Sequence, residues 1–307
     1  MQKQKNTRLL LALSAVLILI SLLPYLDNKS EGLSIDKKQF TLNQQTVITD
    51  VLLASKTITN KLSYIRGKWV VNDKYELDPN MRDVFFSVLS QLEIRREVSE
   101  SQNDSITNLI RSKGIEVSVV NNQELIKNYW IWGNKDSQTS FLMDDEQAYV
   151  VHIPGYKSYV AGIFEVPEED WRTRRVFTAL FTNLNTLKIE YPHDDIEFRY
   201  KDQFFEIINI RADSTQLISS LENLLFLQTD QYLQPSEYPT YIPDGIEIKT
   251  PFASISVSKL AGTKEKVKLY NTKNESNFYL GITPDSSYCL FNKARLNQII
   301  VKKPDFQ

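Results

Sequence analysis

The apolar and polar positions between Lys61 and Leu89, KLSYIRGKWVVNDKYELDPNMRDVFFSVL, recur without a gap between Glu197 and Leu225, at a constant offset of 136 residues, as from Lys61 to Glu197. Leu62 aligns with Phe198, Tyr64 with Tyr200, Trp69 with Phe205 and Val71 with Ile207. Met81, Phe85, Val88 and Leu89 align with Leu217, Leu221, Leu224 and Leu225. Each copy first alternates with period two and then repeats apolar residues three and four apart, which predicts a hairpin followed by a helix. In the first copy Arg66 and Gly67 supply the tight turn. Asp78 and Pro79 start the helix, because the carboxylate accepts from free backbone N–H groups and proline at the first helical position loses no bond. Met81, Val84, Phe85, Val88, Leu89 and Leu92 then mark one helical face.

The pattern predicts a polar gap at Ser99–Ser105 and a short helical piece around Ile106–Ile110. Strands follow at Ile115–Val120, Leu125–Trp132, Ser140–Asp144 and Ala148–Ile153. The second copy has strands at Ile246–Lys249, Ser254–Leu260, Val267–Tyr270, Phe278–Gly281 and Ser287–Phe291, and a short closing helix within Ala294–Lys302. The echo of Gly114-Ile115-Glu116-Val117 in Gly245-Ile246-Glu247-Ile248 has an offset of 131, which places a five-residue length change in a loop. Between the copies, Val166–Tyr191 reads as helical after Pro167, with Trp171, Val176 and Phe177 as apolar anchors and Leu187–Tyr191 as the first strand of the second copy. The expected fold is α+β: two tandem repeated lobes, residues 47–182 and 183–307, each a mostly antiparallel sheet with a packed helix.

Ahead of the lobes, Lys3, Lys5 and Arg8 precede an apolar run from Leu9 to Leu26 that is interrupted only by small or aromatic residues and Pro24. As a helix at ~1.5 Å per residue it spans about 27 Å, enough for a bilayer core. The basic residues hold the N-terminus inside, so the C-terminal bulk is exported. LLPYLDNKSEG offers no A-x-A cleavage site, and no cysteine follows the run, so residues 1–26 read as an uncleaved single-pass anchor and 27–46 as a tether.

Composition changes this picture at three points. At 307 residues and 42% hydrophobic content the chain has material for two cores. The formal net charge of -2 gives no electrostatic reason to expect nucleic acid. The single cysteine, Cys289, excludes an intramolecular disulfide, and SSYCLFNK reads as a strand.

Candidate chemistry is thin. His152 reads as a strand residue, and His193-Asp194-Asp195 as a solvated hairpin turn. Carboxylates cluster at Asp144-Asp145-Glu146 and Glu168-Glu169-Asp170, with Asp83, Glu93, Glu97 and Glu100 elsewhere, in settings typical of turns and helix starts. G-x-S-x-G, H-E-x-x-H and G-x-x-x-x-G-K-[ST] motifs do not occur. No catalytic residue, metal ligand or cofactor site is therefore nominated. The sharpest short cluster is Trp171, Arg172, Arg174 and Arg175, where arginine forks can grip carboxylate or phosphate, either of a partner or across the two lobes. Trp130 and Trp132 share one strand face and, if exposed, form a surface on which sugar rings stack; buried, they form core.

The N-terminal anchor, the KWVV hairpin, the Asp-led helix, the YWIWG strand and EEDWRTRRVF leading into LKIEYP together make the chain resemble a bacterial family known as domain of unknown function 4340. The resemblance covers nearly all of the exported part. It implies association with ABC-2-type transporter components, including those of the gliding-motility class, and supplies no catalytic residues. The expectation is a non-enzymatic protein of the bacterial inner membrane, acting as scaffold or accessory subunit of an envelope complex with protein partners. A glycan- or envelope-polymer-binding module and a carboxylate-dependent hydrolase are the alternatives.

Overall fold

Asp50–Ala54 (β1), Thr59–Ile65 (β2), Lys68–Val71 (β3) and Tyr75–Glu76 (β4) open the fold as a run of hairpins, in a computed structural model that describes residues 35–43, 45–274 and 276–306. Helix α1 (Pro79–Gln91), β5 (Glu93–Glu97) and helix α2 (Glu100–Lys113) follow. Then come β6 (Ile115–Asn121), β7 (Glu124–Asn134), β8 (Thr139–Asp144) and β9 (Gln147–His152). A 3₁₀ turn at Val160–Ile163 and the one-turn helix α3 (Glu168–Trp171) lead into the second half. That half contains β10 (Leu184–Glu190), β11 (Asp195–Lys201), β12 (Phe204–Ile207), α4 (Ser214–Leu225), β13 (Gln231–Tyr232) and α5 (Tyr238–Tyr241). It closes with β14 (Ala253–Lys259), β15 (Lys264–Asn271), β16 (Phe278–Ile282), β17 (Tyr288–Asn292) and α6 (Lys293–Ile299).

The fold is α+β, with two mostly antiparallel sheets and a few helices. The first sheet has nine strands in the order β4-β3-β2-β1-β6-β7-β8-β9-β5, and the second has eight in the order β12-β11-β10-β14-β15-β16-β17-β13. Apart from β4, the two orders correspond strand for strand. Registers agree as well. Val51 pairs with Leu62 and Leu62 with Val71 in the first sheet; Leu187 pairs with Phe198 and Phe198 with Ile207 in the second, each 136 residues on. Arg66 and Gly67 have φ of 50° and 84°, the left-handed pair that a two-residue hairpin turn requires. Asp202 and Gln203 adopt the same turn at 48° and 73° without glycine.

Both helices are capped alike. Asp78 Oδ1 accepts from the N–H groups of Asn80 and Met81, and Asp213 Oδ1 from those of Thr215 and Gln216. Each helix lays its apolar face on its own sheet. Phe85 and Leu89 join a core with Val51, Leu53, Leu62 and Val117; Leu221 and Leu225 join one with Leu187, Ile189, Phe198 and Ile255.

Four expectations change. The five-residue length change is overturned by register: Val51 pairs with Val119 and Leu187 with Val257, so β6 corresponds to β14 at an offset of 138 and two residues have been gained. Ile246–Lys249 is not a strand. Gly245 turns left-handed at φ 68°, Ile246–Ile248 form a 3₁₀ turn, and Ile248 is 90% exposed. The polar gap at Ser99–Ser105 is the start of α2, whose polar residues face solvent while Thr107 and Ile110 are buried. The helix after Pro167 is only one turn long, because Arg172 onward is extended. Among the described residues no helix is long and apolar enough to cross a membrane, and the run Leu9–Leu26 lies outside them.

Candidate functional site

The joint between the two sheets, from Val166 to Asn183, gathers the sharpest polar cluster of the chain. The ring of Trp171 is fully buried in the first core, meets Phe85 edge-on at 5.1 Å and donates from Nε1 to the Val166 carbonyl at 3.1 Å. It is an anchor of the first half rather than a plug between the two. Val176 and Phe177 are buried in the second core, so the cores change hands between Trp171 and Val176.

The extended residues between these anchors are hydrogen-bonded on both sides. Toward the first sheet, Asp78 N–H donates to the Trp171 carbonyl at 2.9 Å and Thr173 N–H to the Glu76 carbonyl at 2.8 Å, flanking a bridge between Leu77 and Arg172. Toward the second, Thr229 N–H donates to the Arg174 carbonyl and Val176 N–H to the Leu227 carbonyl, both at 2.9 Å, flanking a bridge between Arg175 and Gln228. The joint is thus a short strand shared by two neighbours, which meets the backbone's need for partners once it is taken out of water.

Arg172 makes the side-chain contact across this seam. Its guanidinium carbon lies 3.4 Å from the ring centroid of Tyr75, in the first half, and 3.9 Å from that of Tyr232, in the second. Nη2 reaches Asp285 Oδ2 at 2.7 Å and Nη1 donates to Ser287 Oγ at 3.0 Å. Arg172 is 5% exposed, so cation–π and charge-assisted bonds act here with little competition from water. Burial pushes the Asp285 carboxyl up, but Thr283, Arg172 and Ser287 together outweigh it and hold the group below its ordinary value. Burial raises the Tyr232 hydroxyl, which donates to the Thr173 carbonyl at 3.1 Å.

Arg175 lies over Phe226 at 4.5 Å and donates to the Ala179 carbonyl; burial lowers its pKa. Arg174 is exposed and has no ion pair among the described residues. A cavity of about 190 Å³ runs along the seam, lined by Tyr75, Arg172, Arg175, Tyr232, Glu265 and Asp285. Glu265 is held by Lys259 Nζ at 2.7 Å and by Thr178, and these bonds outweigh burial to keep its carboxyl low. Arg172 and Glu265 therefore spend their charge inside the protein, and the chemistry of the seam is that of a clamp.

Trp130 and Trp132 point away from Tyr129, which is buried in the first core. Both tryptophans are half-buried beneath α2 with Val98, Ile106, Ile110 and Met143, and Trp132 stacks on Phe141 at 5.7 Å. Trp130 borders a polar pocket of about 370 Å³ with Arg111, Asn128, Asp144 and Asp145. The structure does not bring the Trp130–Trp132 face and the joint together into one site. His193 is exposed in the β10–β11 turn, while His152 ends β9 with a buried Nδ1 that has no hydrogen-bond partner. Burial pushes the Cys289 thiol up to about 12, so it stays protonated. Among the described residues no group of three or more His, Cys, Asp or Glu is arranged to hold a metal ion.

Sequence reasoning found the arginine run but missed Tyr75, Tyr232 and Asp285. No local signal ties them to Arg172, because they reach it only once both sheets have formed. Comparison with protein-family models, curated proteins and solved structures finds no match to the chain.

Proposed function

We propose that the protein is a non-enzymatic scaffold or accessory subunit of a bacterial envelope complex, held in the inner membrane by residues 9–26, with two tandem repeated lobes displayed on the extracytoplasmic side. The carrying observation is the seam. In the one strongly functional-looking cluster, Trp171 to Arg175, the buried Arg172 guanidinium joins the two sheets, while the Trp171 ring anchors the segment in the first core. A rigid two-sheet body on a membrane tether is suited to holding partners at a set distance and angle. The resemblance to domain of unknown function 4340 makes ABC-2-type transporter components the partners to test first. Crosslinking and affinity recovery of the full chain from solubilised membranes is expected to bring down a transporter or other envelope protein. Recovery of none, or of the full-length chain only in the soluble fraction, overturns the proposal.

The hydrolase alternative calls for a carboxyl held protonated near neutrality. Ion pairs and hydrogen bonds depress Glu190, Asp194, Asp244, Glu265 and Asp285, so these five do not supply it. The polymer-binding alternative keeps one specific support, the polar pocket at Trp130. Binding of cell-wall oligosaccharides that is lost in Trp130→Ala and kept in Trp132→Ala would favour it.

A further inference from the structure

The two hairpins carry the same aromatic pair on the same face: Tyr64 and Trp69 lie 5.7 Å apart at 51°, Tyr200 and Phe205 5.2 Å apart at 52°. What lies on these pairs differs. In the second half Phe181 packs on Phe205 at 6.0 Å and on Phe226 at 6.2 Å, and Arg175 caps Phe226 at 4.5 Å. At the offset of 136 that relates the hairpins, Phe181 falls on Gln45 and Phe226 on Ser90. Phe86 is the first half's own addition, where the second has Glu222, and it packs on Trp69 at 4.8 Å without closing the space. The result is an open groove of about 480 Å³ lined by Leu42, Ile48, Trp69, Phe86, Ser90 and Asp83. One aromatic ring fills a cavity on the order of 150 Å³, so the groove has room for the two rings that the second half supplies to itself.

We propose that this groove is the docking site of a partner protein segment that brings an aromatic side chain with a lysine or arginine beside it. The aromatic component is argued from Phe181 and Phe226, which occupy the corresponding place, and the cation from Arg175 on Phe226. Charge complementarity points the same way. Among the described residues Asp83 is the only charged one lining the groove, and its pair with Arg82 is solvent-exposed and weak. The proposal rests on the scaffold reading and names the surface through which it acts.

The test uses the full-length chain in its membrane. Ser90→Phe puts back one missing ring and is expected to lower recovery of the partner about tenfold, the effect of losing one anchor residue, while Ser105→Phe, at an exposed position of α2 that does not line the groove, leaves recovery unchanged. A photoreactive phenylalanine at Thr46, which also lines the groove, reads the same site without changing Ser90. It is expected to crosslink to a different protein, within a segment that contains an aromatic residue next to Lys or Arg. Undiminished recovery with Ser90→Phe, or an adduct at Thr46 on lipid, on a second copy of this chain or on nothing, overturns the groove. A wild-type chain that recovers no partner at all overturns the scaffold reading instead, so the two failures are distinguishable.

Discussion

Helices α1 and α4 do the same work in the two halves and are dressed differently. Each starts on an aspartate cap and lays two or more fully buried apolar side chains on its hairpin. Helix α4 is covered on both flanks. Phe181 and Phe226 fill one, and the C-terminal segment fills the other, with Leu296 buried, Phe306 against Phe198 at 6.1 Å and the Val301 carbonyl accepting from Tyr191. Among the described residues helix α1 has no counterpart of either cover, with the groove at Trp69 on one side and a second of about 560 Å³, lined by Val84, Val88, Ile153, Tyr156 and Ile163, on the other. Connectivity accounts for much of the difference. After β17 residues 293–306 fold back over α4, whereas after β9 the chain travels on to the joint. The lesson is that a repeated register dictates the sheet and the helix contact, while the outer surface is set by where each copy sits in the chain.

The sharpest way to break this comparison is to empty one core. Trp171→Ala removes a fully buried ring from the first half and is expected to cost about 4 kcal/mol. If the halves have separate cores, hydrogen exchange accelerates in β1 to β9 while β10 to β17 keep their protection; loss of protection in both would merge them into one unit. Arg172→Met comes next. It deletes no core side chain, but leaves Asp285 without its cation and removes the guanidinium between Tyr75 and Tyr232, an expected loss of about 2 kcal/mol because Arg172 is buried while Asp285 is partly exposed. Its signature is one thermal transition splitting into two, and a single cooperative transition at a lower temperature would remove the clamp from the account.

How much of this was legible in the sequence depends on the range of the interaction. Period-two and period-3.6 patterns are local, so both hairpins, both helices, the Asp78 cap and the anchors Trp171, Val176 and Phe177 could be read directly. The start of α2 could not, because SESQNDS is polar and a helix whose exposed face is polar looks locally like a loop. Nor could β5, whose EIRRE buries only Ile94 and is held as an edge strand by β9. The false echo at Gly245 shows that sequence similarity over four residues is weaker evidence than register over five pairs. Arg172 was noticed as one of a run. Its role was invisible, because Tyr75, Tyr232 and Asp285 approach it only after both sheets have formed. The open groove was equally hidden, since Gln45 opposite Phe181 means something only once the pairing register is known.

Equivalence of the two units is tested more gently by their caps. Asp78→Ala and Asp213→Ala each remove a side chain that accepts two backbone N–H groups, and each is expected to cost about 1 kcal/mol by chemical denaturation. A cost twice as large at one site as at the other would mean that the helices are not interchangeable parts.

The smallest effect is the dependence of the clamp on acid. Asp285 has a folded pKa below its ordinary value, burial being outweighed by Thr283, Arg172 and Ser287. A depressed carboxyl binds its proton less readily in the folded than in the unfolded chain, so it adds stability above the unfolded pKa, near pH 4. That contribution is lost as pH falls through the lower folded value. The Asp285 side chain is 38% exposed, so solvent screening makes the effect modest. Comparing wild type with Asp285→Asn between pH 7 and pH 3 isolates it: the wild-type advantage should shrink below pH 4 and the two curves converge. Because the ion pair is made only across the seam, the convergence should appear in the transition that reports coupling and leave the exchange protection of each core where it was. An advantage that grew toward low pH would show that Asp285 is held by something other than the cation of Arg172.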